Sequence, residues 1–121
     1  MTMSIDYLAT LLFQSIDKQD KDAFLGFLAD DILFRFGNAE PVIGKSAVCD
    51  AVSGFFASVK GTHYELLRAW DKEGVLICHG SVTYTRHDLT TLTVPYANIL
   101  ILDNSLIKEY LIFVNISKLY A

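Results

Sequence analysis

The sequence predicts an α+β domain in which three helices pack against a strongly bent antiparallel sheet around an apolar pocket. Apolar residues recur at helical spacing in three segments of the first half of the chain. In the second half they recur at a period of two, which is typical of strands. The links between these strands are too short for parallel crossovers, which need about a dozen residues, so neighbouring strands are expected to be antiparallel.

Two helices and a strand are predicted at the start of the chain. The first helix covers residues 4–17, where Ser4 can cap the N-terminus and apolar side chains follow at intervals of three and four. The second begins after Asp20 and ends at the acidic pair 30–31, and the alternation in residues 32–36 predicts a strand directly after it. The apolar face of this second helix comprises Ala23, Phe24, Phe27 and Leu28.

A turn, a third helix and a strand meander are predicted next. Gly37 and Pro41 mark the turn, and the third helix begins at Gly44 and is ended by Gly61. Its apolar positions are Ala47, Val48, Ala51, Val52, Phe55, Phe56 and Val59. Four strands follow, at residues 62–71, 75–87, 92–102 and 106–116.

The chain of 121 residues is predicted to be a single domain over residues 1–121, because it contains no repeat, low-complexity tract or linker.

Residues 97–102 and 111–116 are apolar at both odd and even positions, whereas an antiparallel sheet with one face in water alternates between apolar and polar residues. Three short helices can cover only one face of such a sheet. We therefore expect the other face to pair with a second copy of the chain in a homodimer.

Composition and charge exclude several classes of protein. The net charge is −4, which disfavours a nucleic-acid partner. No apolar stretch is long enough to span a membrane, and no basic residue precedes the apolar N-terminal segment as in a secretory signal. Cys49 and Cys78 have no CxxC spacing and are expected to be free thiols in a cytoplasmic protein.

Three local motifs accompany this order of elements: Ala29-Asp30-Asp31 before a strand, Pro41-Val42-Ile43-Gly44 before a helix, and Asp103-Asn104 followed by Ile107. With them the chain resembles the nuclear-transport-factor-2-like superfamily, in its SnoaL-like and ketosteroid-isomerase-like branch. The resemblance spans about residues 5–118. It implies a cystatin-like α+β roll, a cone-shaped curved antiparallel sheet wrapped around three helices with an internal apolar pocket, often dimeric through its sheet.

The resemblance also implies where functional groups would lie, and this chain departs from an isomerase at each position. Phe36 stands at the position of the general-base carboxylate, Leu12 at that of the oxyanion-donating tyrosine, and Asn98 at that of a strand aspartate. Tyr7 is more than a turn from Leu12 and does not replace that tyrosine. Asn115 stands where many SnoaL-like chains carry an aspartate, and its alternative interpretation is an exit-turn amide.

Asn98 and His79 are the polar candidates for the pocket. The amide of Asn98 could bind a ligand carbonyl or a developing oxyanion, or it could be a core residue bonded to a neighbour. A turn at residues 88–91 that pairs Ser81 with Asn98 would place His79 on the same face, as an acid or base. A register shifted by one residue would place Cys78 there instead.

Four aromatic side chains at strand spacing either form a wall for a flat ligand or belong to the core: Trp70, Tyr84, Tyr96 and Tyr110. Tyr96 and Tyr110 are the preferred wall residues. The histidines do not predict a metal site, because His79 and His87 are eight residues apart on one strand, roughly 26 Å, and His63 is also beyond reach. No cofactor motif is present, so neither a metal nor an organic cofactor is expected.

These observations favour a domain that binds a small apolar or aromatic molecule. The predicted ligand-binding residues are Asn98, Tyr96, Tyr110, Phe36 and Leu12. The alternative is a cofactor-independent isomerase, dehydratase or polyketide-cyclase-like enzyme with His79 as its base. A further alternative is a structural dimerisation module.

Overall fold

The computed structural model describes residues 5–120, with side chains from residue 7 onward. The helices are α1 (Ile5–Asp17), α2 (Lys21–Gly26) and α3 (Lys45–Ser58). The strands are β1 (Leu28–Phe36), β2 (Val42–Ile43), β3 (Gly61–Lys72), β4 (Val75–Thr85), β5 (Thr91–Asp103) and β6 (Leu106–Val114). The α+β class is confirmed, while the predicted N-cap at Ser4 lies outside the described residues.

The sheet has six strands in the order β2-β1-β6-β5-β4-β3. Strands β3 to β6 form the predicted antiparallel meander. Strand β1 instead runs parallel to β6, with Phe34 opposite Tyr110 and Phe36 opposite Ile112, so the sheet is mixed rather than wholly antiparallel. A parallel pair is possible here because most of the chain separates the two strands.

Helix α2 is shorter than the sequence predicts. It begins as expected, since Asp20 Oδ1 accepts a hydrogen bond of 3.1 Å from Ala23 N. It ends at Gly26 because the next residues pair with β6: Ile107 N donates to Phe27 O at 2.8 Å, and Leu28 lies opposite Ile107. The prediction that Phe27 and Leu28 belong to the helix is therefore wrong, and tertiary pairing is the reason.

The region around α3 differs from the prediction at both ends. The short strand β2, which the pattern did not predict, pairs with β1 through Leu33–Ile43 and Phe34–Val42. Gly44 precedes the helix with a φ of 95°, a conformation that favours glycine. The helix ends at Ser58, because Val59 is already extended and packs into the core.

The two faces of the sheet have different environments. Along β4 the even-numbered residues are buried beneath the helices, and β5 follows the same alternation from Tyr96 to Leu100. On the opposite face, the register aligns an apolar row across four strands, consisting of Trp70, Ile77, Ile99 and Leu111. Trp70 is 48% exposed and Ile77 is 42% exposed. We call this uncovered side the outer face.

Gly80 on β4 is required by a close approach between strands. A Cβ atom at Gly80 would lie 1.9 Å from Glu65 O, next to the irregularity in β3 between Leu66 and Arg68. No side chain can be accommodated at that distance without moving the backbone of β3.

We predict that Gly80→Ala lowers the free energy of unfolding by about 2 kcal/mol or more, because the added methyl group forces β3 and β4 apart. Gly54→Ala is the control, since no atom lies within 4 Å of its added Cβ and Gly54 is inside α3. It should gain up to about 1 kcal/mol from helix propensity. Urea unfolding measures both changes, and equal midpoints for the two variants would contradict the close approach.

Candidate functional site

A cavity of about 170 Å³ lies between the helices and the inner face of the sheet. Seven of the fourteen described residues that line it are aromatic, and most of the others are aliphatic. Glu40 is the one charged lining residue among them, and its side chain is exposed at the turn between β1 and β2. The cavity is therefore an apolar, aromatic space with an acidic group at its rim.

The aromatic walls follow from strand alternation and helix spacing. Phe34 and Phe36 are two residues apart on β1, so both point inward, and Tyr110 lies opposite Phe34 on β6. The rings of Phe34 and Tyr110 are 5.4 Å apart in an edge arrangement. From α3, Phe55 brings its ring to 5.5 Å from that of Phe36. Two strands and a helix thus converge on the same space.

Four buried side chains in the interior carry polar atoms with no hydrogen-bond partner among the described residues. The atoms are the hydroxyl oxygens of Tyr84, Tyr96 and Tyr110 and the amide nitrogen and oxygen of Asn98. We call these four side chains the buried polar cluster. Leaving a buried polar group unpaired costs about 1–3 kcal/mol, so such groups in native proteins are usually satisfied by water or a ligand.

Burial keeps the ionisable groups of this interior in their neutral forms. It raises the pKa of the Cys78 thiol to about 12. It is also the main reason why the phenol pKa values of Tyr64 and Tyr110 are raised well above 10. The same cause raises the pKa values of Tyr84 and Tyr96. These groups are hydrogen-bond donors near neutral pH rather than anions.

Asp17, at the end of α1, positions one wall of the cavity. Its carboxylate accepts hydrogen bonds from Thr62 Oγ1 at 2.8 Å and from Tyr64 N at 3.1 Å. Partial burial nevertheless raises the pKa of this carboxyl above its ordinary value. The bonds join α1 to β3, and the Tyr64 ring stacks on Phe13 of α1 with centroids 4.6 Å apart.

The structure places His79 outside the pocket. Asn98 lies opposite Cys78 and not opposite Ser81, so of the two registers considered, the one that places Cys78 on the inner face is observed. His79 consequently faces outward, where its ring stacks on Trp70 with centroids 5.6 Å apart. Trp70 likewise lies on the outer face and does not line this cavity. An enzyme mechanism with His79 as the base receives no support from this placement.

The other predicted ligand-binding residues lie on the inner side. Phe36 and Tyr110 line the cavity. Asn98 is 1% exposed, and Leu12 and Tyr96 are also buried, but these three are core residues beside the cavity rather than part of its lining. Asn98 lies opposite Ile112, a lining residue, so the buried polar cluster adjoins the cavity wall.

The remaining polar candidates lie at the surface. Asn115 is exposed, and its Oδ1 accepts a hydrogen bond of 3.0 Å from Ser117 N, as in the exit-turn interpretation. His63 is exposed beside Glu65, and His87 Nε2 lies 2.8 Å from Ala57 O. Within residues 5–120, no three potential metal ligands cluster, and none of the described helices is long and apolar enough to cross a membrane.

Sequence reasoning missed Tyr64, Phe55 and Glu40 as cavity residues. Tyr64 shares the parity of Thr62 on β3, which is a usable signal once the inner face of β3 is known. Phe55 was identified only as part of an apolar helix face. Glu40 could not be found from a pattern, because it lies in a turn whose path depends on the pairing of β1 with β2.

Comparison with known proteins supports the family resemblance. A model of the SnoaL-like domain family matches residues 9–110. A search of the curated proteins finds no match.

Solved structures with similar folds come from several bacteria. A protein from Xanthomonas campestris pv. campestris, provisionally assigned as a polyketide cyclase, is 17% identical with a TM-score of 0.83, over 95% of this chain and 93% of its own. A protein from Catenulispora acidiphila with a ketosteroid isomerase-like fold, in complex with trimethylamine, is 14% identical with a TM-score of 0.83, over 97% and 89%. An LEH-like epoxide hydrolase from M. tuberculosis is 10% identical with a TM-score of 0.78, over 93% and 83%. At these identities the likeness shows the fold alone.

We predict that Cys78 resists alkylation in the folded protein, because it is buried and its raised pKa leaves very little thiolate at pH 8. With iodoacetamide it should react at least about 100-fold more slowly than the half-buried Cys49. Peptide mass spectrometry measures both rates, and denaturant should make both thiols reactive. In the Cys49→Ser variant, rapid labelling of the native protein would contradict the burial of Cys78.

Proposed function

The chain belongs to the SnoaL-like domain family, and on this premise we propose that its cavity binds a small apolar or aromatic molecule. The observation that carries the proposal is the position of the buried polar cluster beside an apolar, aromatic cavity. An apolar space with a few convergent polar groups is the usual form of a small-molecule site. The structural neighbour that holds trimethylamine indicates that this fold can accommodate a small ligand.

The size of the cavity limits the ligand. Sites for drug-sized molecules are typically about 300–1,000 Å³, and this one is about 170 Å³. We therefore propose a ligand with a single ring. Contact with Phe36, Phe55 and Tyr110 would remove most of that ring from water, at about 25 cal/mol per Å² of apolar surface.

The polar end of the ligand is proposed to meet the buried polar cluster. Tyr110 belongs to both the cavity lining and the cluster, so it connects the two. Asn98 lies beside the lining residue Ile112, and its amide, which can donate and accept, would bond to a ligand carbonyl or hydroxyl that extends past this wall. In this arrangement Tyr96 is buried two residues before Asn98 on β5, on the same face of the strand, and Leu12 of α1 is part of the apolar core beside the ligand.

We also propose that the outer face is the interface of a homodimer. Its apolar row of Trp70, Ile77, Ile99 and Leu111 crosses four adjacent strands, and the neighbouring Phe113 is 52% exposed. Charged residues of both signs border the row, because Arg35 lies opposite Leu111 and Glu109 opposite Ile101. A two-fold axis would therefore pair apolar surface with apolar surface while allowing charges of opposite sign to meet at the rim.

A cytoplasmic location, expected from the sequence, stays a prediction.

Asn98→Leu tests the ligand site with acetophenone as the probe. The variant should bind acetophenone at least about 5-fold more weakly, because it loses a hydrogen bond to the ketone oxygen. Its free energy of unfolding should change by less than about 1 kcal/mol, since the amide of Asn98 interacts only with the Cys78 thiol, a weak hydrogen-bonding group, and has no strong partner among the described residues. Calorimetric titration and urea unfolding measure the two effects.

Asn115→Leu is the matched control, because Asn115 is exposed and is not part of the cavity lining. It should leave acetophenone affinity unchanged. Equal affinities for wild type and Asn98→Leu would remove Asn98 from the site. Failure of the wild type to bind acetophenone at millimolar concentration would contradict the ligand-binding proposal itself.

Ile77→Glu tests the homodimer, because Ile77 is in the middle of the apolar row and a carboxylate there would be buried without a partner. Sedimentation velocity at micromolar concentration should give a dimer for the wild type and a monomer for the variant. Ala47→Glu adds the same charge to an exposed position of α3 and should remain dimeric. A monomeric wild type would overturn the interface.

A further inference from the structure

One carboxylate lines the cavity, and a second is hydrogen-bonded to a lining residue. Glu40 belongs to the lining, and Asp17 lies close enough to Tyr64 and Tyr96 to act on both rings electrostatically. Both groups are carboxylates that the structure leaves partly or fully exposed to water. A ligand that enters past Glu40 and lies against Tyr64 therefore meets negative potential at two points.

Lys21, Arg86 and the basic residues of the outer face do not belong to the cavity lining. Lys21 Nζ binds Ser53 Oγ at 3.1 Å between α2 and α3. Arg86 holds the C-terminal segment through Leu119 O at 2.9 Å and Lys118 O at 2.8 Å. Arg35, Arg68 and His79 lie on outward-facing positions of the sheet. None of the described lining residues is basic, so the cavity lining provides no counter-ion for an anionic ligand.

The groups available to the polar end of a ligand are neutral hydroxyls and an amide. Tyr110 is buried against Phe24 and Phe34, with its hydroxyl unpaired among the described residues. The burial that keeps this phenol protonated would equally penalise a negative charge on a ligand atom placed beside it. A neutral oxygen avoids that cost and still satisfies the unpaired donors.

From this arrangement we infer that the cavity selects a single-ring ligand that carries an uncharged oxygen, such as an amide, ketone or alcohol, and rejects the isosteric anion. The inference rests on the proposed ligand-binding function and adds charge specificity to it. It also separates this site from one that stabilises an oxyanion, because such a site would favour the charged form.

Three planar ligands of nearly equal shape test the charge dependence: benzamide, benzoate and benzamidine, which are neutral, anionic and cationic at pH 7. Calorimetric titration of the wild-type protein should give the tightest binding for benzamide. Benzoate should bind at least about 100-fold more weakly, because its charge would be buried without a counter-ion. Benzamidine should also bind more weakly than benzamide, since the exposed Glu40 offsets only part of its desolvation.

A pair of variants at Ala51 provides a second test that does not disturb the core. Ala51 lies on α3, is exposed and borders the cavity. Ala51→Lys places a cation at the rim, whereas Ala51→Met adds a side chain of similar length without charge. The lysine variant should bind benzoate about 3-fold more tightly than the methionine variant, because the added charge supplies an exposed counter-ion. The two variants should bind benzamide equally.

The outcomes distinguish this inference from the function on which it rests. Benzoate that binds wild type as tightly as benzamide would overturn the charge selection while leaving the ligand site intact. Benzamidine as the tightest ligand would also overturn it, and would indicate a cation site formed by the aromatic walls. Failure of all three ligands and of acetophenone would refute the proposed function and the inference together.

Discussion

The pairing of β5 with β4 determines what the interior of this protein contains. With Asn98 opposite Cys78, the even-numbered residues of both strands face the helices, and the odd-numbered residues form the outer face. A shift of β5 by one residue would turn its even-numbered residues, including Asn98, to the outer face, because successive side chains of a strand point to opposite faces. Gly80 restricts the next pairing, that of β4 with β3, since only a residue without Cβ fits against Glu65 O on β3.

The register creates an interior that combines apolar walls with unsatisfied polar groups. The core residues under the helices are mostly aliphatic and aromatic, yet Asn98 and three tyrosine hydroxyls lie among them without partners in the described part of the chain. Stability alone would favour apolar replacements at these positions. Proteins depart from the stability optimum mainly where a site requires it, so the buried polar cluster and the adjacent cavity are best explained together.

Much of the fold was predictable because local patterns and short links restrict the alternatives. The alternation from residue 62 onward identified the four strands of the meander, and the helical spacing identified α1 and α3. The boundary between α2 and β1 was not predictable, because Leu28 fits the apolar face of a helix but instead pairs with Ile107 of β6 in the sheet. For the site, Phe36, Tyr110 and Asn98 lie on the inner side, whereas His79 and Trp70 lie on the outer face and do not line the cavity.

The sequence by itself determined the classes of element, their order and the apolar character of both sheet faces, since these depend on periodicity and composition. Only the tertiary structure decided which face each strand residue occupies. That choice depends on the link between β4 and β5 and on the irregularity in β3. At either place, a shift of one residue in the pairing leaves the sequence pattern unchanged but moves every side chain of the shifted strand to the opposite face. The tertiary structure also decided that Tyr64, Phe55 and Glu40 border one cavity, because they lie on separate elements that meet only when the helices pack on the sheet.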